Sequence, residues 1–193
     1  MRRKGESQRG TSEERTGPNL TGSMPTVFLM VGLPGAGKTT RARELGDTHR
    51  ALVLTPDEWM IPLFGDPEAD GRRDVLEGRM LSLALQAVRL GTNVVLDFGC
   101  WARDERCAIR WLARSAGASC EMVYLSVSRE TQLIRLTQRD VLRLSEAEAD
   151  RARACFQVPD AAELAGSDVP QPPPGWPDWA SWAAGRWPSL SNG

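Results

Sequence analysis

One short run of residues has the types and the spacing needed to hold the phosphates of a nucleotide. It matches the pattern GxxxxGK[ST] at every fixed position and reads Gly32-Leu33-Pro34-Gly35-Ala36-Gly37-Lys38-Thr39. Glycines allow such a loop to turn successive backbone N–H groups onto phosphate oxygens. Lys38 offers a compact cation to the β- and γ-phosphates, and the Thr39 hydroxyl can ligate Mg²⁺. We therefore predict that residues 32–39, with Thr40, bind ATP and Mg²⁺.

A carboxylate placed to act on a second substrate follows the next predicted strand. This is Asp57, in the run Thr55-Pro56-Asp57-Glu58-Trp59. The carboxyl ends of parallel strands meet at one crevice, so Asp57 is expected to face a hydroxyl opposite the γ-phosphate and to act as a general base. The other interpretation is that Asp57 simply N-caps a short helix through Trp59 and Met60. One residue can do both, and both interpretations stay open.

A third acidic residue, Asp97, ends the predicted strand Val94-Val95-Leu96. At this position a carboxylate can hold Mg²⁺, directly or through water, and we predict that Asp97 and Thr39 form the metal site. The alternative is a turn residue before Gly99. Three further side chains follow Asp97 in the chain: Trp101, Arg103 and Arg106. They either line the acceptor side of the site or are solvated residues at the start of a helix.

Arginines follow in the second half of the chain. Arg135 and Arg139 are four residues apart and project together from one helix face, and Arg143, Arg151 and Arg153 come after them. A basic lid that closes over the nucleotide would stabilise the charge of a transferring phosphoryl group. We predict this role for Arg139 and Arg135; the alternative is a solvated, charged helix face.

Composition excludes several classes of protein. The 193 residues carry a formal net charge of −1, which argues against a large nucleic-acid-binding surface. No run approaches the roughly 18 apolar residues that span a bilayer. The four cysteines form no CxxC pair, which argues against a zinc site or other metal cluster. We expect a cytoplasmic protein that does not bind membranes. Only Lys4 and Lys38 are lysines, so Lys38 is the one lysine of the predicted folded part.

Strand and helix patterns alternate along the chain, which predicts a parallel sheet covered on both faces. Apolar β-branched runs predict strands at 26–31, 51–54, 94–96 and 121–127, and helical spacing predicts helices at 38–45, 74–90, 104–116, 130–138 and 145–156. Ser145 and Glu148 have the form of a capping box.

The chain divides into three segments. Residues 1–25 are too polar to fold and predict a disordered arm, and residues 26–165 form the predicted domain. Residues 166–193 are rich in proline and tryptophan, and they include Trp176, Trp179, Trp182 and Trp187. They form either a loosely ordered tail or a strap that docks on the domain or on a partner, because indole rings are costly to leave in water.

Together these motifs resemble the P-loop kinases of the polynucleotide kinase and zeta-toxin type, which include small bacterial predicted kinases among AAA-family ATP-binding proteins. The resemblance covers residues 26–160. It implies a three-layer P-loop NTPase fold with four to five parallel strands, a general-base role for Asp57, and lid roles for Arg135 and Arg139. Three residues beyond the base the family usually has arginine or another substrate-binding residue, and this chain has Met60. The family usually also has a fifth strand after the lid.

These features predict an ATP-dependent, Mg²⁺-requiring kinase that phosphorylates a hydroxyl of a small molecule or of a nucleic-acid end. One alternative is an ATP hydrolase or nucleotide switch, in which the site orients water. Another is a non-catalytic nucleotide-binding protein whose tryptophan-rich tail docks elsewhere. The sequence does not select an acceptor or an oligomeric state.

Overall fold

A computed structural model describes residues 24–138 and 144–190. In these ranges one sheet is built from four strands: β1 Thr26–Val31, β2 Leu52–Leu54, β3 Val94–Gly99 and β4 Ser119–Tyr124. Every pairing is parallel, and the strand order is β2-β3-β1-β4. The predicted α/β class with a parallel sheet is confirmed. Apart from residues 24 and 25, the predicted N-terminal arm lies outside the described residues.

Helices connect and cover the strands. Their bounds are α1 Lys38–His49, α2 Pro56–Phe64, α3 Arg72–Arg89, α4 Arg103–Ser115, α5 Arg129–Thr137, α6 Glu146–Cys155, α7 Ala161–Leu164 and α8 Trp179–Arg186. A single 3₁₀ turn, Ala69–Gly71, precedes α3. The predicted capping box of α6 is present, because Ser145 and Glu148 each accept from the other's backbone N–H.

The central strand β1 is buried on both faces, and its side chains alternate between two cores. Val27, Leu29 and Val31 belong to the larger core, which α3 and α4 supply. Phe28 and Met30 belong to a smaller core with residues of α1. Successive side chains of a strand point to opposite faces, so these two cores lie on the two faces of the sheet. The prediction of helices on both faces is confirmed.

Three strands differ from their predicted bounds, and β2 does so only by beginning one residue later. β4 begins at Ser119 and ends at Tyr124, because its partner β1 ends at Val31, the residue that pairs with Tyr124. β3 continues to Gly99, so Asp97 lies inside a strand rather than at its end. The described residues contain no fifth strand, and Ala161–Leu164 is helix α7.

The tryptophan-rich segment docks on the domain, as the second interpretation of it proposed. Residues 178–190, which we call the strap, begin with an N-cap in which Asp178 accepts from the backbone N–H of Ser181. Trp179, Trp187 and Leu190 lie in the larger core. The strap approaches α3 closely at Gly78, where a Cβ atom would lie 2.5 Å from Ser189 Oγ and 2.9 Å from the backbone nitrogen of Leu190.

A buried ion pair joins α4 to α7. Arg106 is fully buried and donates from Nε and Nη2 to the two carboxylate oxygens of Glu163, at 3.0 and 3.1 Å. It also donates from Nη1 to the backbone oxygens of Cys100 and Trp101. Both sequence interpretations of Arg106, an acceptor-side residue or a solvated charge, are therefore wrong. The side chain holds the loop after β3 in place.

Candidate active site

The phosphate loop, residues 32–39, connects the end of β1 to the start of α1. Gly37 is the N-cap of α1, with a φ of 96° that favours glycine, and no side chain caps this helix. Gly37 has no side chain, so no side-chain group of the N-cap stands between the phosphate loop and the start of the helix. The positive end of a helix dipole at the same place favours an anion such as phosphate. Lys38, the first residue of α1, donates from Nζ to the backbone oxygen of Leu33 at 3.1 Å.

Helix α5 holds the phosphate loop from the other side. The Gln132 side-chain amide donates to the backbone oxygen of Pro34, and Arg135 Nη1 donates to that of Gly35, each at 3.0 Å. Arg153 of α6 in turn donates from Nε to the side-chain oxygen of Gln132 at 2.7 Å. Arg135 thus lies on the phosphate loop. Arg139, its predicted companion, lies outside the described residues, as does Arg143.

Thr39 and Asp97 meet at the predicted metal site. The Thr39 hydroxyl donates to Oδ2 of Asp97 at 2.7 Å. Asp97 is 6% exposed, and its other oxygen, Oδ1, is buried with no hydrogen-bond partner in the described part of the chain. Burial raises the pKa of the Asp97 carboxyl, while the Thr39 hydrogen bond and the Lys38 charge oppose that shift. A buried carboxylate oxygen with no partner fits a bound cation, since oxygen ligands suit Mg²⁺.

Asp57 lies in the first turn of α2, two residues after the N-cap. The N-cap is Thr55, so the interpretation of Asp57 as the helix cap is wrong. Oδ1 of Asp57 accepts from Arg73 Nη1 of α3 at 2.8 Å, and the side chain is 42% exposed. Met60, three residues further on, is fully buried and contributes to the interior rather than to a substrate surface.

Arg73 begins a chain of polar contacts that ends in the strap. Its Nε donates to Oε1 of Glu77 at 3.0 Å, and Oε2 of Glu77 accepts from the indole N–H of Trp187 at 3.2 Å. Burial raises the pKa of the Glu77 carboxyl, opposed first by the charge of Arg73 and then by the Trp187 hydrogen bond. Asp57 is thereby connected to the C-terminal part of the chain.

These residues surround one cavity of about 490 Å³, which we call the central cavity. Side chains from the predicted nucleotide, metal and acceptor sites all line it: Lys38, Thr39, Asp97 and Asp57. Pro34 and Gly35 line it from the phosphate loop, and Trp101 lines it as one interpretation predicted. Several lining residues are not predicted from the sequence, among them Arg73, Glu77, Arg186 and Trp187.

Two kinds of feature are absent from the described ranges. No group of three or more His, Cys, Asp or Glu side chains in residues 24–138 and 144–190 is placed to hold a metal ion. No helix in those same ranges is both long enough and apolar enough to cross a bilayer.

A four-stranded parallel sheet with a GxxxxGK[ST] loop leading into α1 defines this chain as a P-loop protein. A family model described as an AAA domain matches residues 27–159, and the chain belongs to that family. No curated protein sequence matches it significantly.

Solved structures of kinases share the fold. A gluconokinase from Sinorhizobium meliloti 1021 is 16% identical with a TM-score of 0.52, and the match covers 86% of this chain and 92% of that one. A candidate kinase from Chloroflexus aurantiacus is 19% identical with a TM-score of 0.60, covering 70% of this chain and 79% of that one.

A chain of the Pnkp1/Rnl/Hen1 complex is 19% identical with a TM-score of 0.53, covering 66% of this chain. The match spans 43% of that protein's length. At these identities the likeness establishes the fold, which is that of the P-loop kinases.

Proposed function

We propose that this protein is an ATP-dependent, Mg²⁺-requiring kinase that transfers the γ-phosphoryl group to a hydroxyl of an acceptor. One observation carries the proposal: the phosphate-loop residues Lys38 and Thr39, the buried Asp97 and the half-exposed Asp57 line the same cavity. A cavity that combines phosphate ligands with a carboxylate suits transfer between two bound substrates.

On the nucleotide side, backbone N–H groups of the phosphate loop, the positive end of the α1 dipole and the Lys38 ammonium would hold the phosphates. Thr39 and Asp97 would hold Mg²⁺, which neutralises charge on the β- and γ-phosphates when it is bound. The buried Oδ1 of Asp97 fits this role, because a cation there would give it a partner and would favour the ionised carboxylate over the effect of burial.

On the acceptor side, Asp57 would take the proton of the hydroxyl. As the acceptor oxygen forms its bond to the γ-phosphorus, the bond from that phosphorus to the ADP oxygen breaks, and the proton remains on the Asp57 carboxylate. Arg73 would orient Asp57 through the 2.8 Å contact with Oδ1. Arg135, from its place on the phosphate loop, and Arg139 would stabilise the charge of the transferring group.

Replacing Asp57 by Asn tests this assignment. We expect phosphoryl transfer to fall at least about 100-fold, the usual contribution of a general base, while ATP affinity measured by calorimetry stays within about twofold. Asp70→Asn is the matched control, because Asp70 is exposed and does not line the cavity. Equal loss of transfer and of ATP binding would show that Asp57 is structural. Release of free phosphate with no dependence on an acceptor would favour the hydrolase alternative.

A further inference from the structure

The strap forms part of the central cavity, although the AAA domain match ends at residue 159. Arg186 and Trp187 line the cavity. Trp187 bonds Glu77, and Arg186 contacts Asp74 of α3 at 2.6 Å and Glu105 of α4 at 2.9 Å. The strap is therefore tied to side chains of the cavity as well as to the apolar core.

Carboxylates predominate among the residues that line the central cavity outside its nucleotide and metal residues. Outside the nucleotide and metal residues Lys38, Thr39 and Asp97, the described lining contains two arginines, Arg73 and Arg186. It contains six acids: Asp57, Glu68, Asp74, Glu77, Glu105 and Glu148. Among the described residues, this part of the lining therefore has more carboxylates than arginines and is acidic.

Both arginines already bind carboxylates of the cavity. Arg73 contacts Asp57 at 2.8 Å and Glu77 at 3.0 Å, and Arg186 contacts Asp74 and Glu105. An anionic acceptor would have to displace these ion pairs or face like charges at short range, which is unfavourable. A polynucleotide in particular depends on basic side chains that neutralise its phosphates.

The size of the cavity restricts the acceptor further. Its volume of about 490 Å³ lies within the roughly 300–1,000 Å³ that is usual for small-molecule sites. Part of this space adjoins Lys38 and Thr39, so the phosphates of the nucleotide would occupy it. The remainder suits a compact molecule.

We propose that the acceptor is a small hydroxyl compound without a negative charge, held between Asp57 and the strap. The proposal rests on the proposed kinase function. A neutral polyol and a compound with a protonated amine both satisfy this chemistry, because the carboxylates accept from hydroxyl and ammonium groups alike.

The acceptor class can be tested with the full chain, Mg²⁺ and γ-labelled ATP. The acceptors are a small-metabolite extract supplemented with glucose, glucosamine and gluconate and, separately, an oligonucleotide with a free 5′-hydroxyl. Mass spectrometry of the labelled products identifies the preferred acceptor. The expected product is the phosphate ester of a small neutral or cationic compound. Preference for gluconate, another anion or the oligonucleotide would overturn the proposal and leave the kinase function standing. No transfer at all, with ATP still bound, would contradict the kinase function itself.

The role of the strap can be tested with Trp187→Phe, which keeps an aromatic ring and removes the indole N–H. We expect the KM for the preferred acceptor to rise about tenfold, with the KM for ATP within about twofold, since one hydrogen bond to a charged group is lost. Trp182→Phe is the control: Trp182 packs edge-on against Trp187 with ring centroids 6.0 Å apart, but does not line the cavity. Equal effects of the two variants would show that the strap only completes the core.

A second measurement needs no variant. In the wild-type protein, adding the preferred acceptor together with ADP should slow hydrogen exchange at the backbone amides of residues 184–190. ADP alone should leave those amides unchanged. If the exchange rates of these amides do not change when the acceptor is added, the acceptor does not bind against the strap.

Discussion

The hydroxyl of Thr39 donates to Oδ2 of Asp97 across 2.7 Å, joining residues 58 positions apart in the sequence. Removing this hydroxyl with Thr39→Val takes away a proposed metal ligand and the hydrogen bond to the Asp97 carboxylate. We expect Mg²⁺ to activate ATP turnover about 10- to 100-fold less effectively, as is usual when support of a metal site is lost. A Mg²⁺ titration of turnover measures this, and Thr39→Ser should restore it. An unchanged Mg²⁺ dependence in the valine variant would remove Thr39 from the metal site.

Lys38→Arg keeps the positive charge but changes its shape. The planar guanidinium cannot replace a compact ammonium at the phosphates, so we expect ATP turnover to fall at least about 100-fold. Melting temperatures of the variant and the wild type, measured without nucleotide, should agree within a few degrees. Turnover close to normal would contradict the phosphate-loop mechanism.

Gly78→Ala should loosen the strap. In a free helix alanine is more favourable than glycine by about 1 kcal/mol, but here the added methyl would meet the backbone of Leu190 at 2.9 Å. We expect a lower melting temperature and faster proteolysis within residues 178–190. Leu83→Ala, on the exposed side of the same helix, should cost much less. A stabilised Gly78→Ala protein would show that the strap does not pack against α3 in this way.

Arg106→Ala should be strongly destabilising. It leaves the Glu163 carboxylate, which is 3% exposed, without its buried partner, and breaking such a pair costs about 3–5 kcal/mol. Denaturant unfolding measures the loss. Arg103→Ala removes a half-exposed arginine that contacts Asp160 at 3.3 Å and Glu163 at 3.9 Å. It leaves the Arg106–Glu163 pair in place and should cost less than about 1 kcal/mol. Similar losses for both variants would argue against a buried pair.

Alkylation should distinguish the exposed cysteine Cys155 from the buried cysteine Cys100. Burial holds the pKa of Cys100 well above its usual value of 9.0, so at pH 8 this residue remains a thiol, and the thiol reacts poorly. Cys155 is exposed. We expect iodoacetamide at pH 8 to modify Cys155 first in the folded protein and Cys100 only after unfolding, as peptide mass mapping would show. Rapid labelling of Cys100 at pH 8 would contradict its burial.

Much of the fold could be predicted because local signals and tertiary structure agree. β1 has its predicted bounds, since an apolar run before a glycine-rich loop suits a strand buried on both faces. The predicted strand 121–127 lies too far towards the C-terminus, because β4 ends at Tyr124. The end of a parallel strand depends on where its partner strand ends, and that is not a local property of the sequence.

The candidate site was predictable only in part. The phosphate loop, Thr39 with Asp97, and Asp57 follow from motif and strand position. Arg73 was missed because its partner Asp57 is 16 residues away and the contact depends on how α2 packs against α3. Arg186 and Trp187 were missed because a segment rich in proline and tryptophan gives no sign of which surface it will cover.

The buried pair of Arg106 and Glu163 sets a lower limit on the unit that can fold. The match to the family model ends at residue 159, four residues before Glu163. A fragment cut there would retain a guanidinium in its interior with the opposing carboxylate removed, and would also expose the core surface that Trp179 and Trp187 cover. We therefore expect the smallest independently stable form of this protein to include both Glu163 and the strap, beyond the limits that its family would suggest.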